Sequence, residues 1–401
     1  MGRVTKVPIT PEVLLWAIDE SGLTPDDVAS AASVAPNVLT AWLAGLDRPT
    51  LTQARALSGK LRRPLASFLL PRTPRIQPPP VQFRATPGVR RRDLNSDERL
   101  VLRDAVRIQR VVAWAESERA TPPLRIPRHT VAADPESTAN AIRRLLAVSE
   151  ATQLEWRTPS KAFAGWRAAL ERIGIIVIAV PIGKDSCRGF SVWDEHAPMI
   201  VANTWWNSAA RTFTLLHELG HLVTRTSSAC VGQLVALRAN QGDATERWCE
   251  EFAAAVLLPL GEVKRQLNET GWQPGEPISE LRPISRVARK LNASLRATAL
   301  RLIKAGLASP RLYGAIPTNT DHKRGGGGGG GGRPRYVARR DQLGTRTVKV
   351  FLDAVETGVL TTADVLSYMD VSYSELPALA KEVNSGPLGD AVLRQCRVSS
   401  R

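Results

Sequence analysis

Residues 217–221 read His-Glu-Leu-Gly-His, and their types and spacing could hold a metal ion. On a helix, His217 and His221 project from the same face one turn apart, so both imidazoles can reach one ion. Two histidines, a third protein ligand and an open fourth position are typical of a catalytic zinc site, with one Zn²⁺ per chain. Glu218 could then take a proton from water activated by the metal. The pentapeptide therefore predicts a zinc-dependent hydrolase.

The third ligand must come from another segment, and a downstream acidic helix is the most economical source. Three further histidines lie in a proline-flanked loop, a hairpin connection and a glycine-rich linker, and these are His129, His196 and His322. The segment 245–255 has helical spacing and carries Glu246 and Glu250 one turn apart on one face. We favour Glu246 as the ligand, with Glu250 as its support or as the alternative ligand.

The segments before and after the motif show hydrophobic patterns of two kinds, one typical of helices and one typical of strands. Helical spacing predicts helices over 95–118, 135–148, 160–173, 208–221 and 245–258, and β-rich runs predict strands over 175–182, 188–194 and 198–203. Ser96 is the expected N-cap of the first of these helices. The strand 198–203 would be a sheet edge to which an extended peptide could add. Gly220 would let the acidic helix approach the motif closely, at a cost of about 1 kcal/mol in helix propensity.

Composition favours a cytoplasmic protein with a polyanionic partner. The 401 residues are 43% hydrophobic, enough for two or three domains, and the chain has neither a signal-peptide pattern nor an apolar run long enough for a membrane span. We therefore expect no membrane partner. Four scattered cysteines without a CxxC pair fit a reducing compartment. The formal net charge of +16 favours nucleic acid, although a GC-rich genome would also enrich arginine.

The segment GFSVWDEHAPMIVANTWWNSAARTFTLLHELGHLV, followed by TERWCEEFAAAVLLP, resembles the ImmA/IrrE family of zinc metallopeptidases. The resemblance extends over roughly residues 160–312 and includes the helical pattern ISRVARKLNASLRATALRLIKAGL. It implies a minimal, gluzincin-like zincin fold with zinc on His217, His221 and Glu246 and with Glu218 as general base. Cys249, where the family usually has alanine, departs from the pattern without touching a ligand.

Three further residues are candidates for contacts with the substrate or the transition state. Asn203 follows the last predicted strand and could orient either a turn or the substrate, the turn being our preferred interpretation. An oxyanion stabiliser should also exist, and Arg301 and Tyr313 lie downstream of the site as candidates.

Residues 24–45 resemble the XRE (Cro/cI-type) helix-turn-helix, with a capped first helix, a tight turn and a second helix over 36–44. The resemblance implies that the second helix recognises operator DNA, with Asn37, Thr40 and Ala41 towards base edges and with Arg48, Arg55, Arg62 and Arg63 near phosphates. Pro25 replaces the glutamine often found there, so a dimerisation or protein-docking module is the alternative. A homodimer would suit either role.

The fold class we predict is multidomain and mainly α, with a small α+β core. Eight glycines over 325–332 cannot belong to a core. The helical tail after them, in which Thr361 is the expected cap of a helix over 361–369, resembles a C-terminal segment of XRE-plus-peptidase chains. The predicted domains are a helix-turn-helix domain (1–71), a Pro/Arg-rich linker (72–94), a helical connector (95–158), a metallopeptidase domain with a short β-sheet (159–315), a Gly-rich disordered linker (316–340) and a small helical C-terminal domain (341–401).

Two functions fit these features. In the first, the chain is a DNA-binding regulatory zinc metallo-endopeptidase that cleaves a repressor or a partner regulatory protein. In the second, it is a transcriptional regulator or antitoxin of a toxin-antitoxin or phage-type module, and its peptidase domain serves in sensing or in binding a toxin from the neighbouring gene. The intact HELGH motif favours the first, because a scaffold need not keep Glu218.

Overall fold

The computed structural model describes residues 6–74, 94–226, 228–230, 244–275, 277–317 and 333–383. The chain divides into two compact units, one formed by residues 1–79 and 92–104 and the other by residues 80–91 and 105–401. Within the described ranges the protein is mainly helical, with one small sheet. Most of the predicted Pro/Arg-rich linker, the glycine run with His322 and residues 384–401 lie outside these ranges.

The first unit consists of short helices around one apolar core. Its elements are α1 (Pro11–Ser21), α2 (Pro25–Ala31), α3 (Pro36–Leu43), α4 (Leu51–Lys60) and a 3-10 turn (Leu65–Leu69). Trp42 and Phe68 are among the buried residues that fill the core. Thr24 caps α2 as predicted, since its side chain accepts a hydrogen bond from the Asp27 amide. The tight turn before α3 contains Ser33 in the left-handed region, with φ 56°.

The second unit contains the sheet and most of the helices. Its helices up to the glycine run are α5 (Ser96–Glu118, counted in this unit from Ala105), α6 (Pro135–Leu145), α7 (Glu150–Glu155), α8 (Pro159–Arg172), α9 (Ser208–Thr224), α10 (Ala244–Leu257), α11 (Leu260–Asn268), α12 (Leu281–Lys290), α13 (Leu295–Lys304) and α14 (Arg311–Gly314). None of the helices in the described ranges is both long and apolar enough to cross a membrane.

The predicted helices between residues 95 and 258 are confirmed, with one correction at the start of α5. Ser96 is the first residue of α5 and not its N-cap. Asn95 takes that role, because its side-chain oxygen accepts from the Glu98 amide at 2.8 Å and its own amide donates to the Glu98 carboxylate at 3.0 Å. This reciprocal pair satisfies two amides that the helix itself leaves without partners.

The sheet has four strands in the order β1-β3-β2-β4, with β1 (Ile176–Val180), β2 (Gly189–Val192), β3 (Met199–Asn203) and β4 (Ser228–Cys230). The three predicted strands are confirmed, but the prediction that 198–203 forms a sheet edge is wrong. β3 pairs in parallel with β1 along its whole length and in antiparallel with β2 on its other side. Its main chain is therefore occupied on both sides, and no peptide can add there.

The helices after the glycine run belong to the same unit as the sheet. They are α15 (Arg335–Leu343), α16 (Thr345–Glu356), α17 (Thr362–Met369), a 3-10 turn (Tyr373–Glu375) and α18 (Leu376–Val383). The Thr361 cap of α17 is confirmed. The predicted linker boundary at 340 is wrong, because α15 begins at Arg335 and packs against β1.

Partly buried ion pairs fasten these last helices to the rest of the unit. Arg167 on α8 pairs with Glu171 at 2.8 Å and also donates to the carbonyl oxygens of Val177 on β1 and Asp341 on α15. Gly344, with φ 89°, lies so close to α8 that an added Cβ would collide with the Glu171 carboxylate. Two more ion pairs hold α16. Arg346 on α16 pairs with Glu116 on α5 at 3.0 Å, and Asp353 on α16 pairs with Arg119, just after the end of α5, at 3.3 Å.

Replacement of Arg167 by Met should destabilise the second unit by about 1–3 kcal/mol, the usual cost of leaving hydrogen-bonding groups away from water without their partner. The change leaves Glu171 partly buried without its counter-charge, and urea-induced unfolding of the full chain measures the loss of stability. The control variant Arg335→Met removes an exposed pair with Asp370 and should change the unfolding curve little. Equal shifts for both variants would contradict the anchoring role of Arg167.

Candidate metal centre

Helix α9 positions the two histidines of the HELGH segment. Asn207 caps the helix by accepting a hydrogen bond from the Ala210 amide at 2.9 Å, and every residue from Thr214 to Thr224 is buried. The Nε2 atoms of His217 and His221 lie 3.1 Å apart and point towards the same place. The predicted spacing on one helical face is therefore confirmed.

Helix α10 brings a carboxylate to the same place. The two carboxylate oxygens of Glu246 lie 3.3 Å from Nε2 of His217 and 3.4 Å from Nε2 of His221. These three side chains offer ligand atoms that all lie within 4.8 Å of one another, and no other His/Cys/Asp/Glu group in the described ranges does so. Glu250 is buried one turn further along α10 and is not a member of this group. Two imidazoles and one carboxylate are a donor set that suits zinc.

The approach of α10 to α9 depends on Gly220. A Cβ added at Gly220 would lie 3.0 Å from Sγ and 3.2 Å from Cα of Cys249, which is tighter than side chains normally pack. The prediction that Gly220 permits a close helix contact is thus confirmed. Cys249, the departure from the family pattern, is the residue that fills this contact.

The electrostatics of the cluster favour a positive charge between its three members. Burial alone would lower the pKa of His217, but the hydrogen bond that its ring donates to Glu246 and the charges of Glu246, Glu218 and Glu250 raise it to about 9. Burial would raise the pKa of Glu246, and its hydrogen bonds to the two histidines instead hold that pKa well below the ordinary value. The same field that holds a proton on an imidazole would stabilise a bound cation.

Two residues that sequence reasoning missed support the cluster from outside. The hydroxyl of Ser191 on β2 donates to Glu218 at 2.8 Å, and both side chains are fully buried. The hydroxyl of Thr226 lies 3.0 Å from Nδ1 of His221 and can fix the orientation of that ring. The sequence could have pointed to Ser191, because it is the serine of the GFS segment in the family resemblance. Nothing in the sequence pointed to Thr226.

Asn203 has the turn role that we preferred. Its side-chain oxygen accepts from the amides of Ile182 at 3.1 Å and Trp205 at 3.0 Å, and its nitrogen donates to the carbonyl oxygens of Gly183 and Cys187. These bonds use the donors and acceptors of a side chain that is fully buried. Asn203 therefore holds the loops that follow β1 and β3.

Arg301 and Tyr313 are held by other parts of the protein. The Arg301 guanidinium donates to the Leu258 carbonyl at 3.1 Å and to the Glu136 carboxylate at 2.8 Å. Tyr313 packs against the core, and the guanidinium of Arg296 lies 5.3 Å from its ring centroid. Neither of these described contacts includes a member of the metal cluster, so a role in stabilising the transition state gains no support from them.

The residues predicted to face DNA are largely accessible in the first unit. Asn37 and Thr40 are exposed on α3, Ala41 is half-buried, and Arg48 and Arg55 are exposed. Arg62 instead pairs with Asp104 at 3.2 Å. Arg63 lies 4.2 Å from the centroid of the Trp16 ring, where burial lowers its pKa to about 10. The contacts of Arg62 and Arg63 therefore give no support to their expected place near phosphates, which stays a prediction.

Residues 170–302 match the family model Peptidase_M78, the IrrE N-terminal-like domain. The matched range contains the sheet and both helices of the metal cluster. It supports a metallopeptidase of the IrrE/ImmA type in this part of the chain, in agreement with the resemblance in the HELGH segment. Comparison with curated proteins gives no match.

The choice between Glu246 and Glu250 can be tested by zinc content. Glu246→Gln should lower zinc affinity by more than about 100-fold. Loss of a residue that only supports a ligand lowers metal affinity by at most about 100-fold, so a larger loss identifies a ligand. Glu250→Gln is the matched control, because it removes one carboxylate one turn away, and it should keep close to one zinc per chain. Elemental analysis after dialysis against a chelator series measures both. Loss of zinc in the Glu250 variant alone would make Glu250 the ligand.

Proposed function

We propose that the chain is a DNA-binding regulatory zinc metallo-endopeptidase that cleaves a repressor or another regulatory protein. One observation carries the peptidase assignment: Glu218 is fully buried and hydrogen-bonded by Ser191, directly beside the converging His217, His221 and Glu246. A purely structural site would not need a buried carboxylate next to the ligand set. The family match over 170–302 supports the same activity.

The residues of the cluster divide the chemistry between them. Zinc bound to His217, His221 and Glu246 would supply Lewis acidity, which polarises a peptide carbonyl and lowers the pKa of water. Glu218 accepts the proton from the attacking water, and the Ser191 hydroxyl holds the carboxylate in the orientation that this transfer needs. Because Glu218, Ser191 and the two histidines are buried, few water molecules compete for their hydrogen bonds. Glu246 is half-buried.

The regulatory part of the proposal concerns the first unit. Its α2 and α3 are joined by a tight turn, and α3 exposes Asn37 and Thr40, whose side chains can hydrogen-bond to base edges. Arg48, also exposed, suits a phosphate contact. A homodimer would present two copies of α3 to the two halves of an operator. A peptidase fused to such a unit would act on a protein of the same regulatory circuit, and the product of the neighbouring gene is the first substrate to try.

Glu218→Gln should abolish cleavage of that substrate while zinc content stays near one per chain. Glutamine keeps the shape of glutamate but cannot accept the proton, and losing a general base costs about 10²–10⁴-fold in rate. Incubation of the purified chain and zinc with the neighbouring gene product, followed by mass spectrometry of the fragments, measures the rate.

Glu251→Gln is the control for this experiment, because it changes an exposed glutamate on α10 that pairs with Lys304, and it should cleave like the wild type. Unchanged cleavage by the Glu218 variant would refute the assigned role. Tight binding without cleavage by both the wild type and the Glu218 variant would instead favour the regulator or antitoxin alternative.

The DNA-binding proposal predicts different effects for two exposed residues of the first unit. Asn37→Ala should weaken binding to the preferred operator by about 1–3 kcal/mol and relax the preference at one base position. Arg48→Ala should weaken binding to all duplexes about equally and lower the salt dependence. Selection of bound sequences from a random duplex library, followed by titration, measures both. A library without any enriched sequence would contradict base recognition by α3.

A further inference from the structure

Helix α12 carries a stripe of four exposed cations in the second unit. They are Arg282, Arg286, Arg289 and Lys290. At 100° per residue, all four lie within a sector of about 100° around the helix axis, and the first and last are about 12 Å apart along it. Helix α12 has no acidic residue. The four residues therefore form a narrow, straight band of positive charge, which we call the α12 stripe.

Among the residues that the structure describes, the four cations of the α12 stripe have no acidic partners, and they stand together on one helix face. Among the described residues, no carboxylate lies within ion-pair distance of any of the four. Glu280, the residue before α12, is exposed and makes no ion pair with them. Elsewhere in the unit, by contrast, Arg265 pairs with Glu262 and Glu269, and Lys304 pairs with Glu251. An unbalanced stripe in a chain of net charge +16 attracts polyanions.

The opposite face of α12 and the helix that follows restrict what the stripe can bind. Ile284, Val287 and Ala288 are buried in the core, so α12 has no free apolar face to insert into a membrane. α13 is buried along residues Ala297–Leu302, so it cannot enter a DNA groove as a recognition helix. What remains available is a row of side chains that can contact phosphates without reading bases.

We propose that the α12 stripe is a second DNA contact, which binds the phosphate backbone of duplex DNA without sequence preference. Each strand of a DNA duplex carries one phosphate per about 3.4 Å of helix axis, so a 12 Å band of four cations can neutralise three to four phosphates. Three of the four cations are arginines, whose planar donors suit phosphate oxygens. The contact is independent of the metal cluster and of base recognition by α3, and it would hold the peptidase unit on the DNA.

The test compares variants of the full chain on a random-sequence duplex. In the stripe variant, Arg282, Arg286, Arg289 and Lys290 are replaced by glutamine. The matched control loses the same charge at four exposed positions of the second unit that are not on α12, and these are Arg110, Arg125, Arg144 and Lys161. Fluorescence anisotropy over a range of salt concentrations gives the slope of log affinity against log salt. Since all proteins keep the first unit, its contribution is common to them.

Each phosphate contact adds about 0.9 to the magnitude of that slope. The magnitude of the slope should therefore fall by about 3 to 4 in the stripe variant and by less than about 1 in the control. Circular dichroism should show the same helix content for both variants, because all substituted residues are exposed. Equal slopes for the two variants would overturn the proposal. Loss of binding to vesicles of anionic phospholipid, with DNA binding unchanged, would overturn it as well and would place a membrane surface on the stripe.

Discussion

The close contact of α9 with α10 is the constraint on which the metal cluster depends. A carboxylate can reach both imidazoles only if the two helix backbones approach more closely than ordinary side chains allow, and Gly220 against Cys249 provides that approach. The glycine costs helix propensity, and burial of α9 from Thr214 to Thr224 compensates for it. The position of Glu246 relative to the two histidines is thus a result of packing as much as of ligand chemistry.

The sheet positions Ser191, the residue on β2 that donates a hydrogen bond to Glu218 beside the metal cluster. β2 lies between β3 and β4, and its Gly189 packs so closely on α9 that an added Cβ would be 2.6 Å from the Thr214 methyl group. This contact brings Ser191, two residues further along the same strand face, within hydrogen-bond distance of Glu218. A fully buried carboxylate needs such a partner, because an unsatisfied charge in the core would be costly. Strand and helix therefore share one buried polar contact.

Polar contacts also decide where the C-terminal helices belong. The outer edge of β1 would present unpaired main-chain groups, and α15 covers this side with the help of Arg167, which bonds to Val177. The segment after the glycine run is consequently part of the second unit and not a free appendage. Because Arg167 and Glu171 are largely shielded from water, each depends on the other more than the partners of an exposed pair such as Arg335 with Asp370 do.

By itself the sequence determined the local features of this protein. The HELGH spacing placed His217 and His221 on one helical face, the strand runs over 176–203 were evident, and Thr361 was recognisable as a cap. Only the tertiary structure decided that β3 is central, that Arg63 stacks on Trp16, and that Ser191 and Thr226 support the cluster. The physical reason is that hydrophobic period and capping act within a few residues, whereas strand order and buried polar pairs arise from contacts between distant segments.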